Sequence, residues 1–225
     1  GALTHNSAIR IDDKIYATDV NGGQIFVVNT IDDSFTSYTP SCPSGGQAVS
    51  VVPDPDDSSV LWSGCSNSYL IKYDKASHAV LLTIATPNNV AGSGKIPGKN
   101  KVIVSSPVAP EAYVFDSNTG VLLQTIALPD NSFAPVPTSD GSRVLLSVPG
   151  GSFSGTDAVI INADDYSLTN ITLSGTTLAM FAGPDTVAEA SIGFTVGDML
   201  AGTGENTARL LLIASAVALA SLGIL

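Results

Sequence analysis

With 225 residues the chain is long enough to bury a sizeable core, and 44% of its residues are hydrophobic while only 13% carry charge. Nine basic residues against twenty acidic ones leave a net charge of -11, a field that repels phosphate backbones, so nucleic acid is not an expected partner.

Gly1 to Asn6 holds neither the basic region nor the apolar run of a secretion signal, so the expectation is that any such signal precedes this numbering and has been removed. A repeating plan then begins. Ser7 to Asp12 reads as a short strand, Asp12-Asp13 as a turn and Lys14 to Asp19 as a second strand. After the Gly22-Gly23 turn comes an apolar strand ending at Asn29, then a further strand. The apolar strand ending in Asn or Asp recurs at Asp74, Asp116 and Asn162, so the anchors stand 42 to 46 residues apart.

The second unit runs from Ala48-Val49-Ser50-Val51-Val52 through Asp56-Asp57 to a strand over Val60 to Cys65, and ends with Ala79 to Pro87. In the third, Asn89 to Gly98 is poorly patterned and its Ala91-Gly92-Ser93-Gly94-Lys95 stretch reads as a loop. A phosphate-binding loop is not expected there, because Ile96 stands where Ser or Thr is required and no helix follows. The fourth opens with Phe133 to Pro137 and the Asp140-Gly141 turn.

Four strands per unit, in units of about 5–40, 46–87, 89–129 and 131–174, predict an all-β propeller, because one four-stranded sheet exposes two apolar faces that only neighbouring blades can cover. A β-sandwich is the alternative, although nothing in a sandwich requires the pattern to recur four times. A partial fifth unit is read over 175–196, which closes a propeller domain of 1–198, and a polar linker follows over 199–209. The uncharged run from Leu210 to Leu225 is predicted as an apolar C-terminal helix of roughly 24 Å, marginal as a membrane span.

The blades Lys14 to Asp32 and Lys101 to Pro129, with their apolar-Tyr-Val strands, Asn or Asp anchors and Thr119-Gly120 turn, resemble those of the YVTN/NHL-like and gluconolactonase-like β-propellers. The resemblance covers about residues 5–174. It implies the fold, and for the lactonase members it implies a calcium ion held at the channel by Asn, Asp and Glu side chains. His5-Asn6-Ser7-Ala8-Ile9 is similar to the segment that supplies one such ligand, which maps the metal role to Asn6. Glutamates are confined to Glu111, Glu189 and Glu205, so the rest of that ligand set has no counterpart on the inner strands.

Cys42 and Cys65, each in a Ser/Gly/Pro-rich turn context, read as one disulfide, with free buried thiols as the alternative. Asn170-Ile171-Thr172 matches the N-glycosylation acceptor pattern. The acidic pairs Asp12-Asp13, Asp32-Asp33, Asp56-Asp57 and Asp164-Asp165 invite a cation reading, but their scatter over different units favours turns. His5 and His78 stand near no nucleophile elbow, so no catalytic residue is assigned. Small residues before the apolar tail make Gly202, Gly204 or the earlier Ser191 candidate attachment points for a glycolipid anchor, against a retained membrane or packing helix.

The expected function is therefore an extracellular or cell-surface module that binds protein or glycan through its loops and is tethered by its C-terminus. A calcium-dependent lactonase and a self-associating structural subunit are the alternatives.

Overall fold

The computed structural model describes residues 8–19, 22–148 and 157–172. Every described residue belongs to one compact unit, His5–Pro184. The partial fifth repeat and the C-terminal helix lie outside the described residues. Within them there are sixteen strands and one single-turn 3-10 helix, Pro43–Gly45.

The strands form four meandering antiparallel sheets of four, taken in chain order. Blade 1 is β1 (Ala8–Ile11), β2 (Lys14–Asp19), β3 (Gln24–Asn29) and β4 (Phe35–Tyr38). Blade 2 is β5 (Val52–Asp54), β6 (Asp57–Cys65), β7 (Tyr69–Asp74) and β8 (Val80–Ala85). Blade 3 is β9 (Gly92–Ile96), β10 (Lys101–Ser105), β11 (Glu111–Asp116) and β12 (Leu122–Ala127). Blade 4 is β13 (Phe133–Pro137), β14 (Arg143–Val148), β15 (Asp157–Asn162) and β16 (Leu168–Thr172). These are the four blades that the four clear repeats predict; the described fold is an all-β propeller of four blades, a count that the repeats alone leave open.

Period-two alternation sorts each strand between two cores. In blade 2, Leu61, Ile71 and Tyr73 join Tyr16 and Ile25 of blade 1, while Val60, Trp62 and Leu70 pack with Val102, Val104, Tyr113 and Phe115 of blade 3. The alternate residues of blade 3, Ile103 and Val114, meet Val144, Leu146, Val159 and Ile161 of blade 4. Each blade thus lies face to face on the next.

One hydrogen-bond plan repeats in all four. The anchors Asn29, Asp74, Asp116 and Asn162 each accept on Oδ1 the N–H two residues on, at 2.9 to 3.1 Å. The backbone N–H of each anchor also donates to the carbonyl five residues on, that of Ser34, Ala79, Val121 or Ser167. The turn needs a left-handed residue four after the anchor, supplied by Gly120 in blade 3 but by Asp33, His78 and Tyr166 elsewhere, with φ of 57°, 59° and 61°. The fourth strands differ. The pairing skips Leu81 in β8 and Leu123 in β12, so these two edges carry β-bulges and those of blades 1 and 4 do not.

The loop expected at Ala91 to Lys95 is a correction. Gly92–Ile96 is the first strand of blade 3, and all five of its residues are buried. A Cβ on Gly94 would stand 2.7 Å from Pro137 Cδ and 2.8 Å from the Pro135 carbonyl oxygen, so glycine is required for β9 to approach β13. What removes the apolar alternation from the sequence is close backbone packing.

Candidate functional site

The first strands of the blades are where a propeller channel is built, and those of blades 2, 3 and 4, β5, β9 and β13, lie close together. Beyond the Gly94 contact, a Cβ on Gly64 of the second strand β6 would meet Val90 Cγ1 at 2.4 Å. Ser50 and Ser93 bring their hydroxyls to 3.4 Å across the blade 2 and blade 3 boundary, and the Ser63 hydroxyl donates to the Ser50 carbonyl at 2.5 Å.

Asp54, the carboxylate of β5, accepts the Trp62 indole N–H at 3.0 Å and lies 3.9 Å from the Lys95 ammonium. Lys95 is itself buried and donates to Asp56 Oδ2 at 2.5 Å and to the carbonyls of Ile96 and Lys99 at 3.1 and 2.7 Å. With three acceptors the ammonium is fully coordinated, so this cluster fastens blade 3 to blade 2 and leaves no free nucleophile. The hydrogen bond from Lys95 and that from the Gly98 N–H hold the Asp56 carboxyl below its ordinary range.

The acidic pairs divide their work. Asp32, Asp57 and Asp165 each accept from the backbone N–H and hydroxyl of the serine two residues on, and these bonds hold their carboxyls below the ordinary pKa. Asp140 does the same with Thr138 and Ser142, and its pKa falls to about 2. Asp56 and Asp164, the neighbours of Asp57 and Asp165, reach across blade boundaries to Lys95 and Lys99, and Asp12 reaches Lys75 of blade 2. Among the described residues no group of three or more His, Cys, Asp or Glu side chains is placed to hold a metal ion.

An aromatic cluster covers the outer part of the blade 1 and blade 2 boundary. Tyr38 stacks on His78 with centroids 3.7 Å apart and shares a 3.0 Å hydroxyl contact with Tyr73. Burial pushes the Tyr38 phenol up to about 12 and raises that of Tyr73 as well. Between blades 2 and 3, Asn88 donates to the Tyr113 hydroxyl, which donates to Glu111. These groups are engaged with one another.

The periphery is different. Leu81 is 55% exposed, and Val121, Leu122 and Leu123 are 58%, 43% and 44% exposed. The turn before β12 lies against β8, since a Cβ on Gly120 would lie 3.1 Å from Ile84 and 3.8 Å from Leu82. The bulges turn Leu81 and Leu123 out of the ladder. The Val-Leu-Leu triplets at Val80 and Val121 were the available sequence signal, but strand alternation alone assigns half of such a triplet to a core, and the bulge is invisible at that level.

Cys42 and Cys65 are joined as a disulfide, which ties the 13-residue connector after β4 to the end of β6. Asn170 is exposed on β16, the outermost strand of blade 4. Asn6, Ser191, Gly202 and Gly204 lie outside the described residues, so the calcium and anchor readings have no geometry here. No family model matches the chain and no curated protein matches it, so the four-bladed architecture stands without the YVTN/NHL-like or gluconolactonase-like assignment.

Proposed function

We propose that the protein is an extracellular binding module that engages a protein partner through the apolar periphery of blades 2 and 3 and is held at the cell surface by its C-terminal segment. One observation carries this reading. Large apolar side chains are exposed on β8 and β12, the outermost strands of two adjacent blades, while the inner strands β5, β9 and β13 lie close together and the Asp54, Asp56 and Lys95 groups beside them are paired with one another. Exposed apolar patches of this kind mark contact surfaces, and their chemistry suits a protein better than a glycan.

The disulfide supports an oxidising compartment. A glycan on Asn170 fits the same location, because the side chain is exposed and the acceptor pattern is complete. The intact mass of the native protein tests both, since it reports glycan at Asn170, the oxidation of Cys42 and Cys65, and removal of the tail at Ser191, Gly202 or Gly204.

The surface itself is tested by placing a photoreactive residue at position 81 or 123, with position 93 as the buried control, and crosslinking on cells that display the protein. A discrete adduct from positions 81 and 123, lost in a Leu81→Lys, Leu122→Lys background and absent from position 93, is the expected result. Calcium-dependent lactone hydrolysis by the purified protein, abolished in Asn6→Ala, would replace this reading with an enzymatic one.

A further inference from the structure

The hydroxyl side chains at the surface fall into two groups. Those of Ser34, Ser59, Ser77, Thr119, Ser142 and Ser167 are committed to the carboxylate of a turn aspartate, at 2.6 to 2.9 Å. Those of Thr36, Ser37, Thr39, Ser41 and Ser44 are exposed and, among the described residues, hydrogen-bonded to nothing. All five stand together on β4 and the connector that follows it, and no charged residue intervenes between Asp33 and Asp54. Pro40 and Pro43 interrupt the stretch. A proline fixes its own φ and favours extended backbone at the residue before it, and Cys42, before Pro43, is extended at φ -64° and ψ 130°. Between Tyr38 and Val52 only the Ala48 bridge joins a sheet, so Thr39, Ser41 and Ser44 stand outside any strand ladder.

We infer that Thr36, Ser37, Thr39, Ser41 and Ser44 are acceptors for O-linked sugars, which give this part of blade 1 a glycan coat. The inference rests on the extracellular reading above, because the sugars are added along a secretory route. Composition points to the modification, since exposed Ser/Thr segments broken by proline are those that carry O-glycans. Structure selects among the hydroxyls. In the transfer an acceptor oxygen attacks the anomeric carbon of a glycosyl phosphate donor and forms the new carbon–oxygen bond. The bond from that carbon to the phosphate oxygen breaks, its electron pair leaves on the phosphate, and the hydroxyl proton passes to a base of the transferase. A hydroxyl that already donates its proton to an aspartate must first break that bond, whereas the five named here need not. Thr83 on β8 and Thr125 on β12 are exposed as well, but each stands alone within a paired strand. The placement bears on the contact surface: with sugars beside β4 and on Asn170 of β16, the outer strands of blades 1 and 4 are covered by hydrated chains, which directs an apolar partner to β8 and β12.

Peptide mapping of the native protein by mass spectrometry tests the inference. After reduction and alkylation, cleavage before aspartate releases peptide 33–53, which holds all five acceptors together with two internal controls, Ser34, bonded to Asp32, and the buried Ser50. The expected result is a ladder of monosaccharide mass steps on this peptide, which electron-transfer fragmentation places on the five acceptors and on neither control. The combined variant Thr36→Val, Ser37→Ala, Thr39→Val, Ser41→Ala, Ser44→Ala, made in the same cells, should lose every step and keep the glycan on Asn170. Sugars found instead on Ser34, Ser50, Thr83 or Thr125 overturn the inference, because exposure and a free hydroxyl in the proline-broken segment are then not what selects the acceptor. A bare peptide 33–53 overturns it in every case. Where the Asn170 glycan and the Cys42–Cys65 disulfide accompany that bare peptide, the extracellular reading survives, and where both are missing that reading falls with it.

Discussion

Among the described residues, blades 2 and 3 contribute to a buried cluster on both faces, whereas blades 1 and 4 each contribute to one. The inner pair holds Trp62, Leu61, Leu70, Ile71, Tyr73, Ile103, Tyr113 and Phe115 at 2% exposure or less, and it also carries the Lys95 clamp. Blade 1 buries little beyond Tyr16 and Ile25. The repeating turn hydrogen bonds are nevertheless the same in all four. Local chemistry is therefore shared by every blade, while stability is concentrated where a sheet has neighbours on both sides, because burial of apolar area supplies most of the favourable free energy.

The largest expected effect breaks that concentration directly. Trp62→Ala should cost about 3–5 kcal/mol, by loss of buried area and of the Asp54 hydrogen bond, and should lower the denaturant midpoint steeply. Phe26→Ala, at a half-buried position on blade 1, should cost less than about half as much in the same urea titration. Equal losses at the two positions would mean that Phe26 is covered as fully as the core.

Reduction of the disulfide, or the Cys42→Ser, Cys65→Ala pair, should cost about 3 kcal/mol for a closed segment of this size, read as a fall in thermal midpoint. The effect should appear first at the blade 1 boundary. Hydrogen exchange of Ala48 to Ser50 should accelerate more than that of Val102 to Val104, because the connector lies against β6 through the Val49 N–H to Gly64 bond and the Ala48 bridge to Cys65.

Acid should not distinguish inner from outer blades. Asp32 in blade 1, Asp57 and Asp74 in blade 2, Asp116 in blade 3 and Asp140 and Asp165 in blade 4 all have carboxyls held below their ordinary value by turn hydrogen bonds. A depressed folded value stabilises the fold above the unfolded value of 3.8, and that contribution disappears as pH falls from there toward about 2, where Asp140 takes up its proton. Stability should thus be level above pH 5 and decline below 4, and Asp140→Asn should flatten the lowest part of the curve.

The smallest effect concerns the left-handed turn residue. Asp33→Gly removes the side-chain cost at φ 57° and should raise stability by about 0.5–1 kcal/mol, while Gly120→Ala should lower it by at least as much. Paired thermal melts of the two variants measure the same turn from opposite directions.

The anchors Asn29, Asp74, Asp116 and Asn162 were legible without coordinates because an Asx turn depends on residues within five positions, and such chemistry is written locally. The same holds for the acid-and-serine turns, though the reach of Asp56 and Asp164, beside Asp57 and Asp165, to a lysine of another blade was not visible. Lys95 could be read as part of a glycine loop because its acceptors, Asp56 and the Lys99 carbonyl, converge only after β9 enters between its neighbours. The outward leucines were hidden for a related reason, since a bulge is a mismatch between two strands and neither strand encodes it alone.

The amino-acid sequence by itself determined the repeat, its turns and the alternation that gives each sheet two apolar faces, since all of these arise from contacts near in the chain. Tertiary structure alone decided which faces are buried, which glycines are spacers between backbones, which lysine is sealed and which leucines reach solvent. Those outcomes depend on what lies across a blade boundary, at separations of about 40 residues, where periodicity says that something must pack but not what.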